Sequence, residues 1–211
     1  MHQLASWAAR YGAVCRGLKP FTMELFDAIR ETCLGILRLD ELPMGSRVAL
    51  LADLAERVDP LLTQTSPEAS PALDRELAST FGPEAIVALH EGLHTLAVPP
   101  GAVAGLVASA LKARSQAPIE PDFDGWVDLA LTSFGFDGTR AWDPEALGNA
   151  WLARQQLADL TQPAISETLF TNWSLLYWTL EPHTTSTRLI DHVCRFAFWL
   201  ACVRFLWTGA P

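Results

Sequence analysis

Five consecutive residues, His90-Glu91-Gly92-Leu93-His94, match the pattern H-E-x-x-H. On a helix, residues four apart share a face, so both imidazoles can reach one Zn²⁺. Glu91 then stands where a general base acts on a metal-bound water, the chemistry of a zinc-dependent hydrolase or peptidase. Val87 and Ala88 before the motif, and Thr95 and Leu96 after it, leave its flanks uncharged. Such an enzyme needs a third ligand. The extended pattern with a third histidine fails, because Ala97 and Pro100 stand where its glycine and histidine would be. Glu145, Glu167, His183 and His192 are the distant candidates, and no spacing selects one. Pro99 also ends the helix little more than a turn after His94. The plainer alternative is a partly solvated helix face on which Glu91 and the two histidines only form hydrogen bonds.

Other chemistry-bearing patterns are weaker. Glu91-Gly92-Leu93-His94 is also an E-x-x-H, but a di-iron bundle needs a second copy on another helix, and the chain has none. There is no G-x-S-x-G elbow, no G-x-G-x-x-G and no P-loop. Trp126, Trp142 and Trp151 flank an acidic stretch and either line a cleft or fill a core. Asp122, Asp124, Asp128, Asp137 and Asp143 either attract a cation or basic peptide or simply cap helices in a solvated loop. Cys15, Cys33, Cys194 and Cys202 form no CxxC pair and sit in apolar runs, where buried free thiols are expected.

The elements that must position these groups are helices. No segment alternates apolar and polar residues for long, and no Asn-Gly hairpin occurs. Residues 3 to 17 give a weak amphipathic helix. Leu25, Phe26, Ile29, Cys33, Ile36 and Leu37 mark one face of a helix from about Phe21 to Arg38. Ser46 is placed to cap the next, whose face is Val48, Leu51, Ala52, Ala55, Val58 and Leu62. After a Ser/Thr/Pro-rich loop, Ser70-Pro71 starts a short helix. Pro83 to Val98 carries the H-E-x-x-H, and Ala102 to Arg114 is a small-residue helix. Residues 117 to 124 read as an acidic, proline-rich linker, with a possible subdomain boundary near 116–124. Trp126 to Phe134 is a helix ending at Gly135. Asp143-Pro144-Glu145 starts a helix that uses Leu147, Trp151, Leu157 and Leu160. The chain closes with two long helices. One has Leu169, Phe170, Trp173, Leu176, Tyr177 and Leu180 at helical spacing. The other, from Leu189 to Trp207, is apolar nearly all round and therefore expected to be buried.

The predicted fold is an all-α, multi-helix bundle of about nine or ten helices, a single domain over residues 1–211 with a buried C-terminal hairpin. Half of the 211 residues are hydrophobic, enough for a large core. A net charge of −9 argues against nucleic acid, which needs clustered Lys and Arg, and towards a protein or peptide partner. The longest apolar run, Phe196 to Trp207, contains Arg204 and falls short of the roughly 20 residues of a membrane span. With no signal-peptide core and no disulfide pattern, a soluble cytoplasmic protein is expected.

Three stretches carry a resemblance. They are Ile29-Arg30 to Leu37 with Leu42, Arg47-Val48-Ala49-Leu50-Leu51 and Ala55-Glu56-Arg57-Val58-Asp59 to Leu62; then Trp151 to Leu160 with Glu167, Leu169-Phe170 and Asn172-Trp173; then the closing helix 189 to 207. Together they resemble the C-terminal helical half of the flagellin lysine N-methylases. The resemblance implies a helical substrate-binding or protein-binding module in S-adenosylmethionine-dependent modification of lysine side chains, acting with a partner. That family has an N-terminal cysteine cluster, and none of the four cysteines here stands in one, so no catalytic or cofactor-binding residue is carried over.

Overall fold

A computed structural model describes residues 23–62, 69–82, 87, 100–115, 121–136, 143–161, 163–180 and 188–209. Among them the chain forms eight α-helices and no strand: α1 (Met23–Leu37), α2 (Met44–Leu62), α3 (Ala69–Ser79), α4 (Pro100–Ser115), α5 (Pro121–Ser133), α6 (Pro144–Thr161), α7 (Pro163–Leu180) and α8 (Leu189–Gly209). No helix among the described residues is long and apolar enough to cross a membrane. The chain divides into two compact units, the first comprising Met1–Leu93 with Thr171–Phe196 and the second His94–Phe170 with Ala197–Pro211.

In the first unit, α1 buries Ile29, Cys33, Ile36 and Leu37, the face its spacing predicts. Met44, Leu50, Leu51, Leu54, Ala55 and Val58 form the inner face of α2. This helix starts at Met44, two residues before Ser46. The Pro43 carbonyl accepts from the Ser46 and Arg47 amides at 2.9 and 3.2 Å, so Ser46 lies buried inside the first turn and is not the cap. The Arg57 guanidinium holds α2 to α3. It donates to Asp53 one turn back at 3.0 Å and to Glu76 on α3 at 2.6 Å.

In the second unit, Ala104, Val107, Ala108 and Leu111 of α4 meet Val127, Ala130 and Leu131 of α5, Leu147 and Trp151 of α6, and Cys202 and Phe205 of α8. Small residues let α4 come close: a Cβ on Gly101 would sit 2.6 Å from the Pro144 carbonyl oxygen at the start of α6. The α5 helix begins at Pro121, so part of the predicted linker is its first turn. Proline needs no amide partner there, and Asp124 places a carboxylate near the positive end of the helix. It ends in a Schellman motif. Gly135 has φ of 90°, its amide bonds the Thr132 carbonyl at 2.9 Å, and the Phe136 amide bonds the Leu131 carbonyl at 3.0 Å. Asp143 starts α6 as its sequence predicts, its Oδ1 accepting from the Glu145 amide at 3.0 Å.

Three helix faces differ from expectation. Leu147 and Trp151 of α6 are buried, but Leu157 and Leu160 are 54% and 82% exposed. At 100° per residue, Leu160 lies about 140° around the helix from Leu147, too far to share its face. On α7 the buried row is Ser166, Phe170, Ser174 and Trp178, each four residues on from the last, while Leu176 and Leu180 face outward. Serine is small enough to sit in a close helix contact, and Ser174 Oγ lies 3.8 Å from Met44 Sδ. Along α8, Asp191, Cys194, Arg195, Trp199 and Trp207 are exposed, so that helix is not buried all round.

Candidate functional site

The three residues expected to hold and use a metal, His90, Glu91 and His94, lie outside the described residues, as does His183. Among the described residues no group of three or more His, Cys, Asp or Glu side chains is placed to hold a metal ion. The remaining candidate ligands are dispersed. Glu145 is exposed in the first turn of α6, and Glu167 is half-buried on α7, both in the second unit. His192 belongs to the first unit and is wholly buried.

Aromatic rings surround His192. Its ring meets Trp178 edge-on with centroids 4.7 Å apart and Tyr177 at 5.5 Å. Phe196 packs against Tyr177 at 5.3 Å and against Trp178 at 5.9 Å, and Trp173 stacks on Phe196 at 6.0 Å. The spacing is that of rings in direct edge and offset contact, as in a packed core.

Three carboxylates of the acidic stretch, Asp124, Asp128 and Asp143, have structural roles. Lys112 of α4 donates to Asp128 of α5 at 2.6 Å and lies 3.6 Å from Asp124. The hydrogen bond to Asp128 raises the Lys112 ammonium above its ordinary range against a smaller desolvation effect, and the charges of Asp128 and Asp124 add to it. Asp143 is a helix cap. Asp137 and Trp142 lie outside the described residues. Of the other tryptophans near this stretch, Trp151 is core, edge-on to Phe205 at 5.5 Å, and Trp126 is 56% exposed on α5.

Two of the described cysteines are buried, as expected, and Cys194 is exposed; Cys15 lies outside the described residues. Burial pushes the Cys33 thiol far up, and Cys202 to about 12. Both therefore stay protonated at neutral pH and are poor nucleophiles.

Sequence reasoning passed over two buried charges. Arg47 is fully buried on α2. Its Nε donates to the Leu42 carbonyl at 2.8 Å, and its Nη1 to the Leu37 carbonyl at 3.1 Å and to Thr171 Oγ1 at 2.8 Å. It thus satisfies carbonyls that the end of α1 and the following turn leave open. Asp59 is also buried. Its carboxylate accepts from the Leu189 and Ile190 amides at 2.6 and 3.0 Å, with Arg188 Nε at 3.7 Å. A side chain of α2 thereby caps the N-terminus of α8. The one available signal was a charged residue beside an otherwise apolar helical face.

The second unit also carries outward-facing apolar side chains. Besides Leu157 and Leu160, these include Trp126 and Leu129, which sit three apart on α5, and Ile165 near the start of α7. Their place in an apolar helical pattern predicts core positions for Leu157 and Leu160, so periodicity alone does not mark this surface. Compared with protein-family models, with curated proteins and with solved structures, the chain finds no match.

Proposed function

We propose that this chain is a helical protein-binding module that presents the outer apolar surface of its second unit to a partner. The observation that carries this is the exposure of Leu157 and Leu160, one turn apart in the last turns of α6. None of residues 152–161 is buried, so these side chains contribute little to the core of the free chain. Exposed apolar side chains of this kind supply binding energy when a partner covers them. The net charge of −9 favours a basic partner segment. This agrees with the resemblance to the C-terminal half of the flagellin lysine N-methylases, in which a module of this kind would offer a lysine-bearing protein to S-adenosylmethionine-dependent chemistry. No residue of this chain is assigned to that cofactor, and no step is routed through it. The same proposal has one all-α domain of nine or ten helices acting in the cytoplasm.

The test compares the tagged chain with a Leu157→Glu, Leu160→Glu double variant in capture from source-cell extract. The expected outcome is a protein retained by the first, released as salt rises and absent from the second, with the helical circular dichroism of the two superimposable. Equal retention by both chains, or retention of nothing, sinks the proposal.

The H-E-x-x-H spacing supports a second function, a zinc-dependent hydrolase using His90 and His94 as ligands and Glu91 as base. Metal content decides it, measured on protein purified without chelators or a His-tag. About one zinc per chain, lost in His94→Ala, would move the conclusion to this function. Glu91→Gln would then abolish hydrolysis and spare the metal.

A further inference from the structure

We draw no further inference here: the strongest candidate, the outer face of α7 at Leu176 and Leu180 in the first unit, is an unpartnered apolar face, and nothing in the structure shows what covers it.

Discussion

At the turn between α1 and α2 in the first unit, the close packing centres on a buried guanidinium, Arg47. Where α4 meets α6 in the second, it centres on a hydrogen atom, the one that Gly101 has in place of a side chain. The first arrangement is directional. Acceptors at fixed angles are met by one planar fork, and its loss strands the buried Leu37 carbonyl. The second is steric, because two backbones touch and neither can retreat. The α1–α2 turn is therefore sensitive to deletion of a side chain, and the α4–α6 contact to addition of one.

The largest effect is expected from Arg47→Ala. Leaving the Leu37 and Leu42 carbonyls without this donor, and opening a cavity, should cost about 3 kcal/mol or more, read as a lower urea midpoint. Arg47→Lys keeps the charge and loses the fork, and should recover less than half of that loss. Full recovery would mean that charge alone matters there.

Gly101→Ala places a methyl group against the Pro144 carbonyl and should cost about 1–3 kcal/mol. A neutral result would mean that α4 can shift away from α6 freely, and the contrast between the units would fail.

The next effect is confined to alkaline pH. The folded chain holds the Cys202 proton up to about 12, while an unfolded thiol releases it near its ordinary value of 9.0. The unfolded state therefore binds fewer protons above pH 9, and stability falls as pH rises from there towards 12. The slope from one such thiol is at most about 1.4 kcal/mol per pH unit. Cys202→Ala should flatten the alkaline decline relative to wild type, whatever its effect at pH 7. An unchanged slope would show that the thiol is already ionised in the fold.

The smallest effect is expected at Lys112. Its ion pairs with Asp124 and Asp128 lie at the surface, so Lys112→Ala should shift stability by less than about 0.5 kcal/mol. A loss comparable to that of Arg47→Ala would mean that the second unit also relies on directional charge.

What the sequence made legible follows from how local each cause is. The α1 face, the Asp143-Pro144 start and the Gly135 stop depend on residues within a turn or two, and all three appear where expected. The α5 start was misplaced because Pro121 was read as a linker residue when it is equally suited to a first helical position. Leu157 and Leu160 were misassigned because hydrophobicity was counted without its angle around the helix. Ser166 and Ser174 were missed for the opposite reason, since a polar label hides a side chain small enough for a core. Arg47 and Asp59 depend on acceptors and donors far along the chain, among them Thr171 and Leu189, and no local pattern encodes such pairings.

The Asp59 cap also has a kinetic consequence. Its bond to the Leu189 amide closes a separation of 130 residues. During synthesis α2 emerges long before α8, and the first amides of α8 acquire this acceptor only after that long loop has closed. A contact of such high sequence separation is expected to form late. Asp59→Ala should accordingly leave the refolding rate nearly unchanged and act mainly by speeding unfolding, so that this carboxylate sets how long the folded chain lasts.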